Sequence, residues 1–192
     1  MRKAAALLLL LALALAACGG GAAATPSANP SNLAPAPDYA GHPTIDGIPC
    51  ETTERVTYHV HAHLAVFVDG QPKAVPYGIG IAVPRQVQNS TEGPFVSAGG
   101  CFYWLHTHTE DGIIHVEAPV PMDFTLGQFF DVWQQPLSDT QAGPAKGTVL
   151  AYLNGQRYQG DVRQISLAAH NLIQLDAGQD VPPQPFTFPS GL

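Results

Sequence analysis

The sequence predicts an all-β domain, a small sandwich or barrel-like sheet with one short helix, and three observations carry that expectation. Charged residues make up only 12 % of the 192-residue chain while Gly (19) and Pro (18) are abundant, a mix that favours short strands and frequent turns over long surface helices. Apolar and polar residues alternate strictly from Thr57 to Val68, the period-two pattern of a strand with one buried face. Asp69-Gly70, Asp111-Gly112 and Asn154-Gly155 stand where hairpins would reverse.

Before the domain comes a leader. Arg2 and Lys3 precede an unbroken Ala/Leu run from Ala4 to Ala17, too short to span a bilayer core of ~30 Å but of signal-peptide length. The run ends in Leu15-Ala16-Ala17-Cys18, which resembles the lipobox of bacterial lipoproteins. That resemblance implies cleavage before Cys18 and a palmitate-bearing diacylglycerol on its sulfur, hence a protein lipid-anchored in the cell envelope outside the cytoplasmic membrane. Residues 1–17 are then signal peptide. Residues 18–44 hold almost no large apolar side chain and read as a flexible tether, because they bury too little surface to offset ordering entropy. Residues 45–192 remain for one His-rich domain with one core. The formal charge of −7 becomes −9 once Arg2 and Lys3 leave with the leader, and the other basic residues are scattered, which argues against nucleic acid as a partner.

Within the domain, Tyr58, Val60, Ala62, Leu64, Val66 and Val68 share one face of the first strand, and His59, His61 and His63 share the other. After Asp69-Gly70 the return segment Ala74 to Val83 carries Gly and Pro suited to a bulge or an edge. A loop rich in Gln, Asn, Ser and Gly follows to Gly100. Cys101 to Thr109 and Ile113 to Ala118 predict a second hairpin around Glu110-Asp111-Gly112, three residues with a turn role. Thr125 is placed to cap a helix from Leu126 to Gln134, whose Leu126, Phe129, Phe130 and Trp133 recur at helical spacing. Pro136 stops it. Thr148 to Leu175 supplies two or three further strands.

Parity concentrates the chemistry. Residues opposite one another across a hairpin point to the same face, so either a two-residue or a four-residue turn gathers His106, His108, His115 and Glu117. If the first strand lies beside this hairpin, His59, His61 and His63 join them. Imidazole nitrogens bind zinc, copper or nickel at ~2.0–2.1 Å, and alternate residues on a strand offer them at a separation one ion can bridge. The chain has eight histidines. The remaining two, His42 in the tether and His170 after an apolar strand, read as solvated or structural, and Tyr103, Trp104 and Trp133 read as core. Glu117 is open to three roles: ligand, holder of a histidine tautomer, or general base.

With Cys18 given to lipid, Cys50 and Cys101 form an even pair in an oxidising compartment, which favours a disulfide closing roughly fifty residues. The rival reading keeps Cys101 as a soft thiolate ligand.

Four motifs carry a resemblance: Asp46-Gly-Ile-Pro-Cys50, the His59-X-His61-X-His63 strand, the Trp104 to Glu117 hairpin (WLHTH…GIIHVE), and FTLGQFFDVW from Phe124 to Trp133. Together they resemble a family of uncharacterised exported proteins from bacteria and archaea and span most of the domain. The resemblance implies no activity. A fainter likeness links HTHTEDG, His106 to Gly112, to α-type carbonic anhydrases, whose zinc sits on a His-X-His strand.

The sequence therefore points to a copper- or zinc-binding lipoprotein that captures, buffers or delivers the ion. A zinc-dependent hydratase or hydrolase with Glu117 as base, and a non-metal interaction module whose histidines change charge between about pH 5 and 7, are the alternatives.

Overall fold

The computed structural model describes residues 31–90 and 93–192. The leader, Cys18 and the first part of the tether lie outside the described residues. The rest is mostly β-sheet with one short helix.

Strand β1 (Tyr58–Val68) turns at Asp69 and Gly70, both at positive φ, into the short β2 (Gln71–Lys73). An exposed hairpin follows, β3 (Gln86–Ser90) with β4 (Gly93–Ala98), then β5 (Leu105–His106) and β6 (Ile113–Ala118). Helix α1 spans Leu126–Val132, and Thr125 caps it through a reciprocal pair with Gln128. A small meander, β7 (Leu137–Ser138), β8 (Gln141–Ala142) and β9 (Ala145–Lys146), leads to β10 (Val149–Leu153), β11 (Gln156–Arg157) and β12 (Leu172–Ala177).

The main sheet has the order β11-β10-β12-β1-β6-β5, with β2 also on β1. Strand β1 is central. It pairs in parallel with β12 on one side and antiparallel with β6 and then β2 on the other. One face of the sheet, with Ala62, Leu64, Ile114, Val116, Ile173 and Leu175, meets Phe129, Phe130 and Trp133 of the helical segment in the core. Burying these side chains supplies the main stabilising free energy, about 1.5–3 kcal/mol for each large one. The opposite face carries the histidines at one end and a hydrogen-bonded Gln174–Asp176 pair at the other. That pair receives the tail through the amides of Val181 and Gln184.

Three expectations are corrected. Residues 31–44 are no free tether: Leu33, Ala34 and Tyr39 are buried, Tyr39 donates its hydroxyl to the Val132 carbonyl, and the Trp133 indole donates to the Pro35 carbonyl. A few apolar anchors among prolines suffice because the helix end supplies an acceptor, the Val132 carbonyl, and a donor, the Trp133 indole. The segment Ala74 to Val83 is no return strand. Pairing with β1 stops at Lys73, and the chain turns to run beside residues 101–107, joined by Tyr103 N to Gly80 O at 2.7 Å and Thr107 N to Ile79 O at 3.0 Å. Gly80 allows that approach, since a Cβ there would meet the Leu105 carbonyl oxygen at 2.1 Å. Finally, the polar loop before Gly100 contains the β3–β4 hairpin.

Candidate metal centre

The site is a grid of cross-strand pairs on the polar face of β1, β6 and β5. His61 stands opposite His115, and His115 opposite His106, so three imidazoles form one row across three strands. The next row pairs His59 with Glu117. The register is the one a four-residue turn would give, but pairing stops at His106 and residues 107–112 form a longer connection. Gly112, at φ +82°, makes it fit, for a Cβ there would lie 2.5 Å from the Leu64 carbonyl oxygen. His108 sits just beyond β5. Its ring lies flat against Phe95 of β4, with centroids 4.8 Å apart, and the Val96 amide donates to its backbone carbonyl.

The distances have the scale of a coordination shell. Nε2 of His106 is 3.1 Å from Nε2 of His108. Oε1 of Glu117 is 3.1 Å from Nε2 of His59, 3.6 Å from Nδ1 of His115 and 3.7 Å from Nε2 of His106. Two donors bound tetrahedrally at ~2.0–2.1 Å stand about 3.3 Å apart, so these separations are what a shared ion imposes. Two groups of side chains have all their donor atoms within 4.8 Å of one another: His106, His108, His115 and Glu117, and His59, His61 and His115. These clusters, the first largely buried and the second opening at the exposed His59, can hold a metal ion.

Hydrogen bonds at the far side of the rings set the tautomers. Nδ1 of His106 faces the Tyr103 carbonyl at 2.9 Å and Nδ1 of His108 faces the Val96 carbonyl at 2.5 Å. A carbonyl only accepts, so each Nδ1 carries the proton; the neutral His106 ring turns a bare Nε2 lone pair into the cluster, where it meets the Nε2 of His108, which also faces the Glu54 carboxylate. Burial reinforces neutrality. It pulls the His106 pKa down to about 3 and that of His61 to about 4, and holds those of His115 and His59 below the ordinary histidine value. Burial opposes charge on His108 too, but its hydrogen bonds to Glu54 and the Val96 carbonyl prevail and raise it. Desolvation, then the Glu54 charge, pushes the Glu117 carboxyl up to about 7. Nε2 of His61 and Oε2 of Glu117 are buried without a hydrogen-bond partner. A buried donor or acceptor left so costs about 1–3 kcal/mol, and a bound cation would satisfy both.

Five of the six expected histidines and Glu117 therefore come together. His63 does not. It lies on the same face, but its partner in β6 is Ile113 rather than a ligand, its Nε2 meets the Asp111 carbonyl at 3.1 Å, and its ring stacks on Phe186 of the tail at 3.6 Å. His42 and His170 are exposed and outside both groups; Nε2 of His170 faces the Leu192 carbonyl at 3.0 Å. Tyr103 and Trp133 are core, and Trp104 packs against it and donates to Glu51.

Glu54 is the residue sequence reasoning missed. Its Oε1 is 3.3 Å from Nε2 of His108 and 3.8 Å from that of His106, and the hydrogen bond to His108 lowers its pKa. It precedes the first strand in no periodic pattern. The Cys50–Cys101 disulfide, with Cα atoms 5.4 Å apart, was the available signal: it pins residue 50 beside residue 101 and so swings Glu54 towards His106 and His108. The bridge also excludes Cys101 as a thiolate ligand. Glu51 completes the anchoring through backbone hydrogen bonds to Phe102 in both directions and a side-chain contact with Arg55. No protein-family model, curated protein or solved structure matches the chain.

Proposed function

We propose that this protein is an exported lipoprotein that binds copper or zinc in the His106, His108, His115 and Glu117 cluster, and captures, buffers or hands on that ion. One observation carries the reading: two buried imidazoles, each with its Nδ1 engaged by a carbonyl, aim their Nε2 atoms at one another 3.1 Å apart. An ion seated between them would bond both nitrogens, displacing the proton that His108 holds against Glu54. The donor set of nitrogens and one carboxylate suits Zn²⁺ and Cu²⁺, with the affinity order favouring copper where both are present.

Three buried side chains and the half-buried His115 make a four-donor set, which supports holding an ion over catalysis at an open position. Glu117 stands in contact with three imidazole nitrogens, the position of a ligand rather than of a base set back from the ion. Anchorage by Cys18 supports a place outside the cytoplasmic membrane, and no helix among the described residues is long and apolar enough to cross a membrane.

Calorimetric titration of the metal-free protein, purified without a histidine tag, tests the binding. A saturable site tighter than ~10 µM for Zn²⁺ or Cu²⁺, about −7 kcal/mol, is expected. The absence of saturable uptake of either ion overturns the reading. Separately, Cys18→Ala should move the mature protein from the membrane fraction to the soluble fraction, and its retention in membranes would contradict the lipid anchor.

A further inference from the structure

One ion accounts for only part of the cluster. Bound by His106, His108, His115 and Glu117, it leaves His59 with its Nε2 3.1 Å from Oε1 of Glu117, and leaves the buried Nε2 of His61 without any partner. No single ion reaches everything. His61 and His106 sit two strands apart in the same row, with His115 between them at ring-centroid distances of 4.5 and 5.3 Å. Two strand spacings are about 9–10 Å at the backbone, whereas ligands on opposite sides of one ion are at most about 4.2 Å apart. His61 and His106 accordingly fall in different donor groups, and His115 belongs to both. Glu117 Oε1 also lies between them, in contact with His59 of one group and His106 of the other.

We propose that the cluster holds two transition-metal ions side by side, an inner one on His106 and His108 and an outer one on His59 and His61, with His115 and Glu117 between them. This rests on the metal-binding reading above. Adjacent ions that share a carboxylate typically stand about 3.5–4 Å apart. The two positions differ in access. The inner one lies among buried side chains, with Glu54 at its edge. The outer one opens on a cavity of about 360 Å³ lined by His59, Val60, His61, Ala169 and His170. Its ion keeps a side free for water or an exchanging ligand, so it is the one that enters last and leaves first.

The test loads the tag-free protein with Cu²⁺, counts copper per chain by mass spectrometry and records the electron paramagnetic resonance spectrum. Two ions per chain are expected, with a spectrum broadened or diminished by coupling between neighbouring spins. The His59→Ala/His61→Ala variant should retain one ion and show the spectrum of an isolated Cu²⁺. A wild type that binds one ion overturns the proposal while leaving the metal-binding reading standing, as do two ions with uncoupled spectra. A variant that still holds two coupled ions also overturns it. If wild type binds no copper, and zinc is not taken up either, both readings fall. Wild-type stoichiometry and spectrum decide the matter even where the variant does not fold.

Discussion

What each histidine can offer the cluster depends on which of its two nitrogens is engaged elsewhere. In His106 and His108 the Nδ1–H donates to a carbonyl, which turns Nε2 towards the cluster. In His63 it is Nε2 itself that faces a carbonyl, and Phe186 covers the ring. The same residue type on the same strand face thus ends in different roles. The double change His106→Ala/His108→Ala should weaken binding of Zn²⁺ or Cu²⁺ at least 100-fold in calorimetric titration, because it removes both facing Nε2 donors. His42→Ala/His170→Ala should leave the affinity within about twofold, since neither side chain reaches the donor groups. Equal affinities for the two variants would refute the assignment.

Among the elements, the segment from Cys50 to Arg55 is the least regular and one of the most consequential. It has no strand of its own, yet the disulfide and the backbone pair with Phe102 hold it so that Glu54 meets His108. Closing a loop of this length stabilises a fold by about 3–4 kcal/mol, mainly by restricting the unfolded chain. Reduction should therefore lower the melting temperature by roughly 10 °C. Scanning calorimetry with and without reductant checks it, and two free thiols in the unreduced protein would rule the bridge out. Elsewhere, hairpins followed their turn dipeptides: Asn154 and Gly155 both take positive φ between β10 and β11, as Asp69 and Gly70 do between β1 and β2. Strand β3 escaped notice because it is exposed along its whole length, so no alternation marks it.

For the molecule as a whole, the polar face of the sheet makes the metal-free protein sensitive to acid. His61, His63 and His106 have native pKa values of about 4, 4 and 3 against an ordinary 6.5, chiefly through burial. Between pH 6.5 and about 4 the unfolded chain takes up protons there that the native state refuses, so stability falls as pH falls through that window. His59 and His115 act in the same direction. Glu117, raised to about 7, works the other way between pH 7 and 4.5, and so does His108. The histidines outnumber them. Melting temperature of the metal-free protein should drop by several degrees from pH 7 to pH 5, and bound Zn²⁺ should restore much of it at pH 7. A flat or rising profile in acid would show that these side chains are solvated rather than buried.

What the sequence determined by itself was whatever depends on local periodicity. Alternation in Thr57 to Val68 placed three histidines on one face, the turn at Glu110-Asp111-Gly112 put His106, His108 and His115 on one face in either register, and Thr125 marked the start of the helix. Period-two parity survives either turn length, so most of the cluster was legible before any fold was known. Tertiary structure alone decided what depends on contacts between distant segments. Which strand lies beside which set the two-row grid, and with it the separation of His61 from His106. The tail took His63 out of the cluster, and the disulfide brought Glu54 in. No periodic signal encodes such contacts, because they arise from how whole elements pack their buried faces, and that packing is settled over the entire chain at once.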